Sequence, residues 1–429
     1  MSSSKTNNNS TAESRPNTQN IKKLLLKKRI IELFYKEGMK TIAELCETTN
    51  NSVPSIANIM NEMKKEGWVN NFGIGESKGG RKPAIYGLNP RAGLIAAIDL
   101  SRKDSRLGVF NLHNEQVSDI VEINDGLDTT DNILSILKKE MDALWKKNNI
   151  RKKQVLGLGV TIPGLIDIKK GVSYSYPLFG NKPLTEVFEK QFNLPSVIEH
   201  DTKAMAVGES WFGLARNKSD VLFINIGSGI GLGIIIDGKL YQGHSGFSGE
   251  FGHIQMDPDG HLCYCGKIGC LETIASGTAL VKKARQMIKE GKNSIISANV
   301  DNKLEKIKLK TIVEAANQGD LFAIELIEEA GEYLAKGMSI LIHLFNPEAI
   351  IIGGEMAEAG NLVTDPVQQK LNKYTMLRLK QDTTVLLSDL KEKAGLYGTL
   401  PIVVDNVFNM RFGNGINSEA NESAPNNGI

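Results

Sequence analysis

The sequence predicts an α/β protein of two lobes, preceded by a small basic helical head and bounded by two polar tails. From Ala92 onward, strand patterns alternate with helical ones, which is typical of α/β folds. Before that point the apolar spacing is helical, and residues 20–91 carry thirteen basic against seven acidic side chains. The 429 residues suffice for about three domains of roughly 150 residues each.

The composition excludes several classes of protein. Hydrophobic residues make up 41% and charged residues 23% of the chain, close to ordinary globular usage, which excludes a chain disordered throughout. No apolar run reaches the roughly 18 to 20 residues of a membrane helix, and the Ser/Asn-rich start has no signal-peptide core. We therefore expect a cytoplasmic protein without membrane contact. Residues 1–19 and 411–429 lack large apolar side chains for the most part and are predicted to be flexible tails.

The head begins with three predicted helices. Apolar residues recur at helical spacing over 21–36, which predicts the first helix. Thr41 caps a second, short helix, with Glu44 at the third position after the cap as in a capping box. A polar turn over 48–52 separates this helix from a third over 53–66. Two short helices around a tight turn predict a helix-turn-helix.

A glycine-rich stretch follows between two short strands with a basic tip, so that residues 20–90 have the pattern of a winged helix-turn-helix. One helix fits the major groove of DNA, and a basic wing can reach phosphate or the minor groove. The candidate DNA-binding residues are Asn51, Ser52, Ser55, Asn58 and Asn61 for bases, and Lys64, Lys65, Arg81 and Lys82 for phosphates. Helix-turn-helix units also serve as protein-interaction domains. The prediction of DNA binding therefore depends on the basic charge and the polar side chains of this segment.

The remaining chain alternates strands and helices in two blocks. The first block, residues 91–200, has predicted strands over Leu94–Leu100, 107–112, 117–123 and Val155–Ile162, and helices over 130–145 and Leu184–Phe192. The second block, residues 201–393, has strands over Val221–Ile226 and 349–352, and helices over 277–290, Leu309–Asn317 and 321–344. We expect two α/β lobes with a cleft between them, and a helix over 394–410 that returns to the first lobe.

The strongest local signal is a candidate metal site. His253 is followed ten residues later by Cys263, Cys265 and Cys270. Three thiolates and one imidazole satisfy tetrahedral Zn²⁺, and a closed set of four ligands indicates a structural metal. The alternative is three buried reduced cysteines beside an unrelated histidine.

Two glycine turns follow predicted strands. Gly227-Ser228-Gly229 comes after 221–226, and Gly353-Gly354 comes after 350–352. Glycines let backbone N–H groups approach an anion closely, so both turns are candidate nucleotide contacts. A tight hairpin uses glycines for the same geometric reason, and the first turn alone does not decide between the two.

A carboxylate ends another predicted strand. In Glu199-His200-Asp201, Asp201 stands just ahead of a predicted helix. A carboxylate in a cleft can accept a proton from a sugar hydroxyl and activate it as a nucleophile. An Asp here is also a good helix N-cap, and local chemistry leaves both interpretations open.

Together these segments resemble the ROK family of repressors, open reading frames and kinases, over residues 20 to 410. The segments that carry the resemblance are Ile162-Pro163-Gly164, Gly227-Ser228-Gly229-Ile230-Gly231, Gly238-Lys239-Leu240-Tyr241, Gly249-Glu250-Phe251-Gly252-His253, the Cys-x-Cys-Gly-x-x-Gly-Cys-x-Glu run over 263–272, Asn346-Pro347-Glu348 and Gly353-Gly354. The resemblance implies a two-lobed, actin-like ATPase fold of the ribonuclease H type. Gly79-Gly80-Arg81 is similar to the wing of the family's sugar-responsive transcription regulators.

The resemblance also implies roles for individual residues. Asp201 occupies the position of the kinase general base. The sugar-binding residues are then His200, Asp201, Glu250, His253 and Glu272, of which His253 also holds zinc. Fixing one ring nitrogen of His253 at a metal would orient the other towards the sugar.

Departures from the kinase pattern favour a regulator. Kinases of the family have Asp-x-Gly-Gly-Thr, whereas this chain has Asp99-Leu100-Ser101-Arg102-Lys103. Side chains at the two glycine positions obstruct the approach of ATP phosphates, so we expect kinase activity to be lost, although Arg102 and Lys103 could hold phosphate by charge. His200 and Tyr176 stand where the kinases have Asn, which leaves the identity of the sugar open.

We therefore expect a sugar-responsive repressor of carbohydrate-metabolism genes. Its partners would be a double-stranded DNA operator, a sugar or amino-sugar effector, and a second copy or three further copies of itself in a homodimer or homotetramer. Its cofactor would be structural Zn²⁺, with binding of Mg-ATP doubtful because of the missing glycines. The alternative is an active sugar kinase, specific for glucose or N-acetylglucosamine, that carries a DNA-binding head.

Overall fold

The computed structural model describes residues 18–75, 82–180 and 182–413. The chain divides into two compact units. Of the described residues, those up to 93 and those from 404 form the first unit, called here the head unit, and those from 94 to 403 form the second, called the body. Among the described residues, no helix has both the length and the apolar character needed to cross a membrane. The tails predicted at 1–19 and 411–429 lie mostly outside the described residues.

The head unit contains three helices and a small antiparallel sheet. In chain order its elements are α1 (Thr18–Glu37), β1 (Lys40–Thr41), α2 (Ile42–Thr49), α3 (Val53–Lys65), β2 (Val69–Ile74) and β3 (Ala84–Leu88). The strand order is β1-β3-β2. The predicted capping box starts α2, because Thr41 Oγ1 accepts the Glu44 N–H and Glu44 Oε2 accepts the Thr41 N–H at 2.7 Å. Asn50 ends the helix in the left-handed conformation, with φ 52°.

The apolar stripes of the three helices meet in one core. Ile30, Leu45, Ile56 and Met63 are fully buried in it. The last part of a C-terminal helix also belongs to this unit, since the ring of its Phe408 lies 5.1 Å from that of Trp68 in a T-shaped arrangement. On the same helix, Asp405 Oδ1 lies 2.9 Å from Lys28 Nζ. This helix end therefore adds both apolar and charged contacts to the head unit.

The first half of the body is a mixed sheet with helices. Its elements are β4 (Leu94–Leu100), β5 (Ser105–Asn111), β6 (Val121–Ile123), α4 (Ile133–Lys147), β7 (Val155–Ile162), β8 (Ile166–Asp167), β9 (Val172–Ser173), α5 (Leu184–Phe192) and β10 (Ser196–His200). The five-stranded sheet has the order β10-β7-β4-β5-β6. β10, β7 and β4 are parallel, and β5 and β6 are antiparallel to their neighbours.

Two elements begin several residues later than predicted. The strand predicted from residue 117 begins only at Val121, because the Ser118 hydroxyl accepts the Val109 N–H at 3.0 Å in place of a backbone carbonyl. The helix predicted from residue 130 begins at Ile133, because Thr130 Oγ1 accepts the Asn132 N–H at 3.1 Å and holds a turn. In both places a local side chain competes with regular secondary structure.

The second half of the body repeats this plan. Its elements are α6 (Asp201–Phe212), β11 (Val221–Ile226), β12 (Ile230–Ile236), β13 (Lys239–Leu240), α7 (Glu272–Ala275), α8 (Gly277–Lys289), α9 (Ile295–Ala298), α10 (Leu309–Asn317), α11 (Leu321–Phe345), β14 (Ala349–Gly353), α12 (Asn361–Tyr374), α13 (Leu377–Asp382), β15 (Thr384–Leu387) and α14 (Ala394–Gly413). The strand order is β15-β14-β11-β12-β13. As in the first sheet, the first three strands are parallel, and the last two are antiparallel to their neighbours.

The parallel strands of the first sheet bring their carboxyl ends together. Asp99, Thr161 and Glu199 are neighbours on β4, β7 and β10. One residue further, the three strands end at the same edge of the sheet, where β4 and β7 lead into loops and β10 leads directly into a helix that starts at Asp201. Such an edge is where α/β sheets usually bind ligands.

Candidate metal centre and ligand pocket

The four residues predicted to hold a metal lie together. The ligand atoms of His253, Cys263, Cys265 and Cys270 are all within 4.8 Å of one another. His253 Nδ1 lies 3.6 Å from Cys263 Sγ, and Cys265 Sγ lies 3.6 Å from Cys270 Sγ. The structure therefore confirms the predicted proximity of these four side chains. Three sulfurs and one imidazole nitrogen converging in this way are compatible with a structural zinc ion.

Tight backbone turns build this cluster. The Cys263 N–H donates to Lys267 O at 2.7 Å, and the Gly266 N–H donates to Cys263 O at 2.9 Å. Gly269 has φ 72°, and a Cβ there would lie 1.5 Å from Asp257 O. Only glycine fits this position, so the glycine spacing of the Cys-x-Cys run folds the loop. Burial raises the pKa of Cys270 to about 12, so a cation would displace its proton on binding.

A cavity of about 350 Å³ adjoins the metal cluster and takes residues from both sheets. It brings together the predicted sugar-binding residues and the first glycine turn, namely His200, Asp201, Glu250, His253, Glu272, Gly227, Ser228 and Gly229. Gly353 and Gly354, the second predicted turn, are not among its lining residues. Arg102, Tyr174 and Tyr264 line it as well, and the sequence prediction had not placed them in a sugar site.

Asp201 stands at the start of α6. The structure makes His200 the N-cap and Asp201 the first helical residue, so of the two interpretations left open for Asp201, the N-cap does not apply. Asp201 Oδ1 accepts the N–H and the hydroxyl of Thr202 and lies 3.2 Å from His200 Nδ1. The carboxylate is therefore held in place by its own helix while it faces the cavity.

The other two carboxylates have different tasks. Glu272 Oε2 accepts the Ile230 N–H at 2.9 Å, and a Cβ at Gly229 would lie 2.6 Å from the same oxygen. Glu272 thereby fixes the glycine turn against α7. Glu250 is half-exposed, and its Oε2 lies 3.9 Å from His253 Nε2. The two nitrogens of His253 thus face different groups, Nδ1 the cysteines and Nε2 the cavity.

Several glycines in and beside the predicted nucleotide turns are required by close packing. A Cβ at Gly231 would lie 2.3 Å from Thr202 Oγ1, and one at Gly233 would lie 2.3 Å from the Ala206 Cβ. These glycines let α6 pack against β12. A Cβ at Gly353 would meet the Phe223 ring at 2.3 Å. Only Gly227 in this group has open space, with no atom within 4 Å of a Cβ placed there.

The loop that replaces the kinase phosphate loop has a closed conformation. The Ser101 N–H donates to Asp104 O at 3.0 Å, and the Ser101 hydroxyl donates to Asp104 Oδ1 at 2.7 Å. Asp99, just before this loop, is 5% exposed and accepts a hydrogen bond from the Thr161 hydroxyl. Burial raises the pKa of Asp99 to about 7. A Cβ at Gly395 would lie 2.7 Å from its carboxyl carbon, so the Asp99 side chain is enclosed by protein.

The candidate DNA-binding residues lie mostly on one element of the head unit. Ser52 is the exposed N-cap of α3, and Asn58, Asn61, Lys64, Lys65 and Lys82 are exposed as well. Two residues differ from the prediction. Asn51 precedes the helix, is half-buried, and donates through Nδ2 to Thr49 O at 2.7 Å, and Ser55 is also half-buried. Arg81 lies outside the described residues.

Tyr264 is one of the cavity residues that the sequence patterns did not identify. It stands between two of the clustered cysteines, and its hydroxyl lies 3.1 Å from His253 Nε2. An aromatic residue between two metal ligands is a signal that could have identified it. The position of Arg102 on the ring of Tyr264 depends on residues far apart in sequence, and no local pattern predicts it.

Comparisons with known proteins agree with this architecture. A family model described as ROK family matches residues 95–406. The xylose repressor of Caldicellulosiruptor bescii is 31% identical over 395 residues, which cover 90% of this chain and 96% of the repressor. The DNA-binding transcriptional dual regulator NagC of Escherichia coli K12 is 27% identical over 372 residues, covering 86% of this chain and 89% of NagC.

Two solved structures extend the likeness to the fold. A ROK family transcriptional regulator, a homolog of the E. coli MLC protein, superposes with a TM-score of 0.76 at 27% identity, over 91% of this chain and 99% of the regulator. A ROK family glucokinase from Streptomyces griseus, solved with glucose and AMPPNP, gives a TM-score of 0.65 at 31% identity, over 72% and 99% of the two chains. The repeated sheets are those of the actin-like ATPase fold, and the chain belongs to the ROK family.

Proposed function

We propose that this protein is a sugar-responsive, DNA-binding repressor of carbohydrate-metabolism genes. One observation carries the proposal: the residues for holding a sugar converge in one cavity, whereas the loop for holding ATP phosphates is closed by its own side chains. The match to the xylose repressor also covers 90% of this chain, which is more than the body alone and so includes at least part of the head unit.

In this proposal the cavity binds sugar through hydrogen bonds. Asp201 and Glu250 accept them from sugar hydroxyls, the Nε2–H of His253 donates one, and Glu272 holds the glycine turn in place. Zn²⁺ would be held by His253, Cys263, Cys265 and Cys270, and would supply a fixed point that orients the His253 ring. Asp201 then orients the sugar and activates no hydroxyl.

The head unit would place α3 in the major groove. Its exposed Ser52, Asn58 and Asn61 face bases, and Lys64 and Lys65 contact phosphates. The wing with Arg81 and Lys82 would reach the adjoining groove. A homodimer or homotetramer of the chain would bind inverted half-sites about one or two helical turns apart. Sugar changes DNA affinity only if it binds one state of the protein better than the other.

The test combines DNA selection with a sugar panel. Sequences selected from random duplex DNA are bound to the full chain with and without D-xylose, D-glucose or N-acetylglucosamine, and fluorescence anisotropy is measured. We expect one sugar to change DNA affinity by about 5- to 150-fold. The variant Asp201→Asn, which alters a proposed sugar-binding residue, should retain DNA binding and lose the change of DNA affinity with sugar. Selected DNA whose binding no sugar alters would overturn the proposed response.

A sugar kinase with a DNA-binding head is the second candidate. Asp201 at the cavity and the likeness to the S. griseus glucokinase support it. A coupled assay for ADP release with each sugar and Mg-ATP separates the two candidates. Turnover above about 1 per second, which is within the range of ordinary enzymes, would establish the kinase.

A further inference from the structure

We propose that Tyr264, held in place by Arg102, occupies the hydrogen-bonding position at His253 until a sugar displaces it. This inference rests on the proposed sugar binding and adds a self-occupied state of the same site. Neither Tyr264 nor Arg102 belongs to the sugar-binding set that the sequence indicated.

The competition is for a single hydrogen atom. His253 Nδ1 faces Cys263, so a metal on that nitrogen leaves the ring proton on Nε2. Tyr264 Oη lies 3.1 Å from Nε2, and the two rings meet edge to face at 82° with centroids 5.2 Å apart. A sugar hydroxyl that accepts the Nε2 hydrogen must therefore take the place of the Tyr264 oxygen.

Arg102 keeps the Tyr264 ring in this position. Its guanidinium carbon lies 5.4 Å from the centre of the ring, within the range of a cation–π contact. Asp128 Oδ2 lies 3.8 Å from Arg102 Nε, so the carboxylate of Asp128 forms an ion pair with the guanidinium. The hydrogen bonds between Ser101 and Asp104 fix the backbone from which Arg102 extends.

Tyr264 can leave without disturbing the core. Its side chain is 67% exposed, so displacement breaks the hydrogen bond to His253 and the contact with Arg102 but removes little buried apolar surface. The neighbouring Cys263 and Cys265 hold the backbone of Tyr264 in place. Rotation about the side-chain bonds is then sufficient for the ring to move. Sugar binding thus loses the free energy of these two contacts.

The first test is the direction of change in sugar affinity. The zinc-loaded full chain is titrated calorimetrically with D-xylose, D-glucose and N-acetylglucosamine. Tyr264→Phe should bind the responsive sugar about fivefold more tightly, the factor for one hydrogen bond of about 1 kcal/mol. Arg102→Met should bind it about two- to fivefold more tightly, the factor for an exposed cation–π contact. Arg378→Met, which removes an arginine whose side chain is 80% exposed on α13, should leave the affinity unchanged. Weaker binding by either variant would mean a direct contact with the sugar, and would overturn the proposal.

A second measurement needs no sugar. With 3-fluorotyrosine at position 264, the ¹⁹F resonance of the ligand-free protein should shift in the Arg102→Met variant and stay in place in Arg378→Met. An unchanged resonance would show that Arg102 does not hold the ring, whatever the sugar data. If none of the three sugars binds either the wild type or Tyr264→Phe, the proposed sugar function fails, and displacement fails with it. The fluorine signal would still report separately on the contact with Arg102.

Discussion

At the scale of single residues, folding changes the protonation of Asp99, the buried carboxyl just before the loop over residues 101–104. Its carboxyl lies under Gly395 and accepts the Thr161 hydroxyl, and burial raises its pKa from the ordinary 3.8 to about 7. The folded protein therefore keeps a proton on Asp99 over a pH range in which the unfolded chain has lost it. A neutral, enclosed carboxyl is poorly suited to hold a hydrated cation.

Asp99 makes stability depend on pH. Between about pH 4 and 7 the folded state binds one more proton than the unfolded state, so stability falls as the pH rises, by up to about 4 kcal/mol. Asp99→Asn removes this titration and keeps the acceptor for Thr161. We expect the variant to melt well above the wild type at pH 8 and to keep less than half of that advantage at pH 5.

The matched control for this prediction is Asp382→Asn, because Asp382 is exposed at the end of α13. Thermal melts of the three proteins across pH 5 to 8 give the comparison. A difference between Asp99→Asn and the wild type that does not change with pH would contradict the assigned cause.

At the scale of elements, α6 and the first part of α14 cross at a contact made by glycines. A Cβ at Gly398 would lie 1.8 Å from Ala204 O, and one at Gly208 would lie 2.6 Å from Ala394 O. Backbone atoms cannot move aside as a flexible side chain can. We therefore expect Gly398→Ala to destabilise the body by about 3 kcal/mol or more, measured by urea unfolding.

Gly331→Ala is the comparison for that crossing. Gly331 also lies inside a helix, α11, but a Cβ there would meet only the Pro366 side chain at 3.1 Å. Alanine has a higher helix propensity than glycine, which should offset that close contact. The expected change in the free energy of unfolding is therefore within about 1 kcal/mol. Equal effects of the two substitutions would show that the crossing is not the cause.

The metal-binding loop is the second element with a testable role. Cys265→Ser removes one of the four clustered ligands, and metal affinity should fall more than about 100-fold, since loss of an outer partner alone costs 10- to 100-fold. Trypsin should then cut after Lys267, which lies in the loop, much faster than in the wild type. Zinc content by mass spectrometry and the cleavage rate are the measurements.

Cys46→Ser is the control for the loop, because Cys46 lies on α2 of the head unit and not in the cluster. This variant should keep its zinc and its resistance to trypsin. A Cys265→Ser protein that retained one zinc per chain would remove Cys265 from the ligand set.

Sequence patterns predicted most of these elements because they depend on neighbours in the chain. The structure confirms α5 and α10 at their predicted bounds, and the capping box at Thr41. The metal cluster was predictable for the same reason, since its ligands lie within 18 residues. The contact of Arg102 with Tyr264 was not, because it joins residues far apart in the chain. The apolar periodicity also predicted β6 and α4 to begin earlier than they do, because it does not register the local hydrogen bonds of Ser118 and Thr130.

At the scale of the whole molecule, charge is distributed unevenly. The total is +2, yet residues 20–91 alone have an excess of six basic side chains. DNA binding by the head should therefore weaken steeply with salt. Lys64→Ala combined with Lys65→Ala should reduce the slope of log K against log salt by about 1.8, since each phosphate contact contributes about 0.9.

The corresponding control replaces two exposed lysines of the body, Lys289→Ala with Lys310→Ala. The slope, measured by fluorescence anisotropy between low and physiological salt, should not change in this variant. Equal losses in both variants would mean that overall charge, and not α3, sets the DNA affinity.

The two sheets have the same strand order and directions, so the turn after β4 and the turn after β11 are counterparts. Both line the same cavity, one as Ser101-Arg102 and the other as Gly227-Ser228-Gly229. Such a repeat is what duplication of an ancestral half would leave. The two turns differ in their side chains: one is a glycine turn with open space at Gly227, and the other carries Arg102, which lies on the ring of Tyr264. Equivalent positions of the repeat thus present a glycine turn and a cationic side chain to the same cavity.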